Sequence, residues 1–430
     1  MSPANLVFTE RQARELETEI EQISQALSSE QTLKAIIDGL PKLAIEGIRR
    51  SLTTEKRELS KKLEAYRQAQ SGNVELMKQQ VGNDLGDLLV VARLAKNWKQ
   101  KDLARNLGLQ EQAIQRWESE RYRSINLANY MKVARALSLE ISAHFLSSEV
   151  ARWLQPPDLH PAQTQKILKH ARNHGWFDTT DSDENGIKRL YRHVSEHVAR
   201  YGTPSLLRTG INVKDHPEDW VLLAWKAQVT RRAEHIIDSE QLSYRPLDLS
   251  WLKQLAKLSR MDDGPIQAQE LLKEHGIVLI VERNIPGMEV DGAAFLIESV
   301  PVIGLTLRRD AVDNFWFTLL HEVAHVILHY RTGLASGFFD DVEHVEVDEF
   351  EDEANKFASD LLIPEELWSR SPARIAKTSS PIENLAKQLG IASAIIYGRI
   401  RFERKNYTVF SDKIGRGTVC KLFSPEVTHG

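Results

Sequence analysis

Apolar positions near the start of this chain recur at helical spacing. Ala13, Leu16, Ile20, Ile23 and Leu27 step by three and four, and Thr9 with Gln12 supplies a capping box ahead of them. A second stripe follows at Ile45, Ile48, Leu52, Leu59, Leu63 and Tyr66, broken where Glu55 and Lys56 stand. The two stripes predict a helical hairpin. Such spacing suits packing within one hairpin and pairing between two chains equally well. Residues 100–108 form a short helical segment closed by Gly108. Residues 110–122 form a second, with Ile114 and Trp117 inward, and Leu127, Tyr130, Met131, Val133, Ala134 and Leu137 mark a closing helix. Later in the chain, Phe315-Trp316-Phe317-Thr318-Leu319-Leu320 and Val326-Ile327-Leu328 bracket a stretch without Pro or Gly, which predicts a buried helix. Ala354, Phe357, Ala358, Leu361 and Leu362 predict another, stopped by Pro364. Residues 277–281 and 302–306 are the best strand candidates. The pattern is that of a mainly helical protein with a small sheet towards its C-terminal end.

Composition narrows this picture in a few places. A chain of 430 residues has room for two to four domains. A single cysteine, Cys420, rules out an internal disulfide and a cysteine zinc site, and it fits a reducing cytoplasmic setting. Neither a signal-peptide pattern nor an uncharged apolar stretch of membrane-spanning length is present, so no membrane partner is expected. The chain is slightly acidic at a formal charge of -4, yet residues 93–135 hold ten Lys or Arg against four Asp or Glu. That local excess suits a polyanion.

The strongest chemical signal is His321-Glu322-Val323-Ala324-His325, inside the buried run. Residues four apart share a helix face, so both imidazoles can reach one metal ion, and Glu322 can take a proton from a water beside it. Two His and one Glu form a known catalytic zinc set. For the third ligand, Glu353 ranks first because it adjoins the apolar stripe of the following helix. Glu351, two residues earlier, ranks second. His329 stands four residues past His325, where the metzincin spacing needs six and a Gly that is absent. It is expected as a packed or supporting histidine.

Residues 276–364 resemble the ImmA/IrrE family of bacterial zinc metallopeptidases. The likeness rests on Asp291-Gly292-Ala293-Ala294-Phe295, Ile303-Gly304-Leu305, Asp313-Asn314-Phe315-Trp316, the His321 motif, and Glu353-Ala354-Asn355 through Pro364. It implies zinc as cofactor, His321, His325 and Glu353 as ligands, Glu322 as general base, and a helix-turn-helix repressor as substrate. Tyr397-Gly398-Arg399-Ile400-Arg401 resembles the C-terminal part of fused members, with no role assigned.

The helical pair around Gly108 resembles XRE (Cro/repressor-like) DNA-binding domains, with Gln100 opening the first helix and Trp117-Glu118 near the end of the second. The resemblance implies a double-stranded DNA operator. Candidate DNA contacts are Gln100, Glu111, Gln112, Gln115, Arg116 and Arg121. A module used only for protein contacts is the alternative.

The expected fold is therefore mainly α: an N-terminal helical hairpin (1–75), a five-helix-type helix-turn-helix domain (80–150), a helical spacer (151–262) and a C-terminal α+β zincin-like metallopeptidase domain (263–430). In the spacer, His160, His170, His174, His193 and His197 follow no ligand rule, except that His193 and His197 stand four apart without a base between them; that pair is expected on solvated helix surface, while Trp220 and Trp225 are expected in a core. Residues 340–353, with nine acidic residues and no Lys or Arg, are expected as a solvated loop. Two functions are open. One is a homodimeric bacterial regulator, cytoplasmic and nucleoid-associated when DNA-bound, whose zinc endopeptidase cuts a repressor-type protein or itself, for example at Pro156-Pro157. The other is an antitoxin-like repressor that binds a toxin or other partner and keeps an inactive or structural metal site.

Overall fold

The computed structural model describes residue 7 and residues 9–28, 40–81, 85–122, 125–140, 161–177, 182–201, 217–240, 242–330, 334 and 344–423. These residues are mainly helical, with one three-stranded sheet. The chain divides into two compact units. One comprises Met1–Ser2, Leu33–Ser51 and Arg152–Gly430, and the other Pro3–Thr32 and Leu52–Ala151.

In the smaller unit, α1 (Glu10–Ser28) begins at the expected capping box. The Thr9 amide donates to Gln12 Oε1 and the Gln12 amide to Thr9 Oγ1. The long helix α2 (Lys42–Gln70) meets α1 where Arg67 pairs with Glu17 at 2.8 Å. Glu55, which breaks the sequence stripe of α2, is buried all the same. Burial pushes its carboxyl up to about 7, against the opposing pull of Lys62. Only the later turns of α2 belong to this unit; Lys42 through Ser51 belong to the other.

Five shorter helices follow: α3 (Glu75–Val81), α4 (Leu85–Ala95), α5 (Gln100–Leu107), α6 (Glu111–Ser119) and α7 (Leu127–Ala136). Gly108 ends α5 with a left-handed φ of 67°, and its amide closes the helix on Ala104 and Arg105. Asn126 caps α7 by accepting from the Asn129 amide at 2.8 Å.

In the larger unit, α8 (Pro161–Asn173), α9 (Asp183–Tyr201), α10 (Pro217–Glu240), α11 (Leu252–Lys257) and α12 (Gly264–Glu274) precede the sheet. Strands β1 (Val278–Val281), β2 (Gly292–Ile297) and β3 (Val300–Leu305) run in the order β1-β3-β2, with β1 parallel and β2 antiparallel to β3. All three are apolar and nearly fully buried, as strands covered on both faces should be. Val278, Ile280, Ala293, Phe295, Ile297, Val300 and Val302 join Trp220, Trp225 and Val229 of α10 and Leu190 and Val194 of α9 in one core. The alternate residues face the other way, where Gly292 meets Thr318 of α13 (Val312–Leu328). Residues of α9 and α10 thus form one layer of this unit's core, and Trp220 and Trp225 lie in it. Buried Glu282 ties the layers together: it accepts from Trp176 Nε1 at 2.9 Å and from Arg232 at 2.9 Å.

The pair expected on a solvated surface is corrected: His197 is buried and His193 partly so, because the faces they occupy point into the bundle. His170 is buried too, His174 is exposed, and His160 lies outside the described residues. Among the described residues they form no metal cluster. Pro156-Pro157 and the first residues of the acidic stretch lie outside the described residues, but residues 344–353 belong to a helix rather than a loop.

The unit is completed by α14 (His344–Leu362), α15 (Glu365–Trp368), α16 (Ser380–Leu389), α17 (Ser393–Glu403) and α18 (Val419–Leu422). Helix α17 braces the start of α13. Gly398 abuts Asp313, where any Cβ would come within 2.5 Å of Asp313 Oδ2, and Arg401 lies 3.8 Å from the same carboxylate. This assigns the Tyr397–Arg401 segment a structural role. No described helix is long and apolar enough to cross a membrane.

Candidate metal centre and nucleic-acid interface

The buried run predicted from sequence is α13, and it is apolar nearly all round because α14, α17 and the sheet pack against it. His321, Glu322, His325 and His329 are no more than 3% exposed. His321 Nε2 and His325 Nε2 lie 3.1 Å apart. Glu351 of α14 completes the cluster, with Oε2 3.3 Å from His321 Nε2 and Oε1 3.3 Å from His325 Nε2. Donors around a tetrahedral ion with bonds of about 2.0–2.2 Å stand roughly 3.3 Å from one another. The three side chains therefore fit a divalent metal without rearrangement.

The electrostatics favour the same occupant. Burial pushes the His325 imidazole down to about 3, so its ring stays neutral and its lone pair stays available. Burial alone would raise the Glu351 carboxyl, but hydrogen bonding by His321 and His325 outweighs it and holds the group well below the usual carboxylate range.

Glu353, ranked first as third ligand, stands elsewhere. Its Oε2 lies 3.2 Å from His329 Nε2, and its Oε1 accepts from Arg50 Nη1 at 2.6 Å. The reason is helical phase. Glu351 lies three residues before Ala354 and seven before Ala358, both fully buried, so it falls on the stripe that faces α13. Glu353 is turned about 200° from Glu351. Counting back from those two alanines, rather than taking the carboxylate next to the stripe, would have found the carboxylate that joins the cluster.

Glu322 occupies the space left by the missing side chain of Gly292. A Cβ there would stand 2.8 Å from Glu322 Oε1 and 2.9 Å from Thr318 Cγ2. The start of β2 is held at that place by Asp291, whose carboxylate accepts from Arg308 Nε at 3.0 Å and whose carbonyl accepts from the Thr306 amide at 3.0 Å. The Asp-Gly pair of the sequence motif thus makes room for the residue expected as general base.

At the other site, α5, the Gly108 turn and α6 form the helix-turn-helix. Ile114 of α6 is buried, and Glu111, Gln112, Gln115 and Arg116 lie on its exposed side. Two other candidates are engaged inside the fold. Gln100 Nε2 donates to Glu118 Oε2 at 2.8 Å, and Arg121 Nη1 lies 3.5 Å from Asp87 Oδ2. Glu118 also receives a two-pronged pair from buried Arg93, at 2.6 Å and 2.9 Å, while Arg93 Nη1 donates to the Trp98 carbonyl. Arg93 counts towards the basic excess in the sequence but is not displayed at the surface.

Comparison with known families agrees with this geometry. Residues 272–401 match the peptidase M78 model, described as the IrrE N-terminal-like domain, and residues 91–143 match the helix-turn-helix model. No curated protein and no solved structure matches the chain. The chain carries a helix-turn-helix DNA-binding domain and a metallopeptidase-like domain with a His-His-Glu cluster.

Proposed function

We propose that this protein is a DNA-bound transcriptional regulator whose zinc-dependent endopeptidase cleaves a repressor-type protein, in trans or in its own chain, in response to stress. The observation that carries the reading is the convergence of His321, His325 and Glu351 beside Glu322, on a chain that also has a helix-turn-helix domain. His321, His325 and Glu351 would hold a zinc ion, which would supply the Lewis acidity for a peptide carbonyl and an attacking water. Glu322, which ligates nothing, takes the proton of the attacking water and passes it to the leaving amine. Strand β2 is at the edge of the sheet and packs on α13, so an extended substrate backbone can add to its open side. On DNA, Gln112 and Arg116 meet base edges while Lys101, Arg105 and other exposed cations hold phosphates, in a homodimer spanning two half-sites.

The test is wild type against Glu322→Gln, each expressed with the neighbouring genes under DNA-damaging and phage stress, with every product followed by mass spectrometry. Glu322→Gln should keep its metal and fold and lose cleavage by at least about 100-fold. Identical products and identical operator repression in both would leave the antitoxin-like repressor, with a structural metal, as the better account.

A further inference from the structure

Resting on the metal reading above, we propose that His329, Glu353 and Arg50 form a hydrogen-bond relay that fixes the tautomer and orientation of the metal ligand His325. His325 Nδ1 lies 3.0 Å from His329 Nδ1, His329 Nε2 lies 3.2 Å from Glu353 Oε2, and Arg50 Nη1 lies 2.6 Å from Glu353 Oε1. The direction of every link follows from one constraint. His325 Nε2 faces His321 and Glu351, so a metal takes that lone pair and the ring proton must sit on Nδ1. Nδ1–H then donates to His329 Nδ1. His329 in turn carries its proton on Nε2 and donates it to Glu353, and the carboxylate's second oxygen accepts from Arg50. No donor faces a donor anywhere along the line. The arrangement holds one ring edge of His325 rigidly while the other binds, and the carboxylate at its far end raises the ligand's basicity.

Arg50 lies far outside the peptidase match and comes from α2. Its helix is seated on peptidase elements by several contacts. The Ser51 hydroxyl donates to the Leu328 carbonyl at 2.7 Å, Lys42 pairs with Glu366 at 2.5 Å, and Gly47 lies so close to the Leu328 side chain that a Cβ would be 3.3 Å away. The relay therefore ties the metal centre to the docking of a helix that the peptidase domain does not contain. His329, Glu353 and Arg50 are positioning residues, and withdrawing α2 removes the last of them.

The experiment measures the zinc dissociation constant of the full chain by competition with a chromophoric chelator, and records the visible spectrum with cobalt(II) in place of zinc. His329→Phe and Glu353→Ala should each weaken zinc about 10–100-fold and shift the cobalt bands, and Arg50→Ala should weaken it a few-fold. Arg50→Lys should restore part of the loss. In the His329→Phe background, Arg50→Ala should add nothing, because Arg50 acts through His329. Circular dichroism of the metal-free proteins checks the fold. The Arg50 side chain is 66% exposed, so Arg50→Ala remains decisive if His329→Phe fails to fold. Glu351→Ala serves as the ligand control and should lose zinc altogether. Wild-type zinc affinity and cobalt bands in His329→Phe and Arg50→Ala would overturn the relay and leave the metal centre standing. Complete loss of zinc in Glu353→Ala but not in Glu351→Ala would make Glu353 a ligand and overturn the relay. A wild type that binds neither metal would overturn the metal reading and the relay together.

Discussion

Two buried polar clusters lie in this protein, and they are built on opposite plans. In the helix-turn-helix domain, Arg93 and Gln100 donate to Glu118, so opposite charges and matched hydrogen bonds close the cluster on itself. In the peptidase-like domain, His321, His325 and Glu351 bring ligand atoms together within 4.8 Å, with a neutral His325 ring and an ionised carboxylate. The first arrangement is complete and fixes the angle between helices. The second gathers ligand atoms around one point, an arrangement suited to a metal ion. Burial of polar groups therefore says little until the donors and acceptors are matched one by one.

The sharpest way to break the comparison is to remove one carboxylate from each cluster. Glu118→Ala strands the Arg93 guanidinium in the interior and should cost about 3–5 kcal/mol. Amide hydrogen exchange of residues 85–136 in the full chain measures it. Glu351→Ala strands no permanent cation, so the metal-free protein should change by about 1 kcal/mol or less. Equal losses in the two variants would erase the distinction.

Acid supplies a third case. Burial, reinforced by His174 and Arg283 around His170 and by Arg231 around His193, pushes both imidazoles down to about 4; burial and Lys226 take His197 to about 3. Their folded values lie below the unfolded value of about 6.5. Their stabilising contribution is thus complete above pH 6.5 and is lost as pH falls towards the folded values, by on the order of a few kcal/mol in all. Urea unfolding at pH 7.5 and pH 4.5 should show residues 161–240 weakening in acid, and a flat response would show that these rings are hydrated.

Gly292→Ala tests the open cluster from its rim. The new methyl meets Glu322 and Thr318 below normal contact, so a loss of about 1–3 kcal/mol and a displaced Glu322 are expected. Thermal melts and cleavage rates measure the two effects, and zinc affinity should stay nearly unchanged.

The mildest change to the fold is Arg116→Ala beside the closed cluster. Arg116 is exposed, so stability should move by about 0.5 kcal/mol or less, while cognate DNA affinity falls by about 1–3 kcal/mol. A uniform loss on all DNA sequences, measured by salt-dependent titration, would make it a phosphate contact instead.

What the sequence determined by itself is local. The HExxH run defined a buried helix and put His321 and His325 on one of its faces, because side chains four apart must coincide. The Gly108 turn and the Thr9 capping box were legible because their chemistry is completed within a few residues. Strand β2 escaped notice, since Gly292-Ala293-Ala294 has little strand propensity and is held by its pairing with β3. What only the tertiary structure decided is which distant groups meet. The phase of α14 against α13 chose Glu351 over Glu353, the packing of α4 on α6 took Arg93 out of the basic surface, and the docking of α2 carried Arg50 to Glu353. Those pairings join residues tens to hundreds of positions apart. Their register is set by the interdigitation of whole helix faces, which no short window of sequence contains.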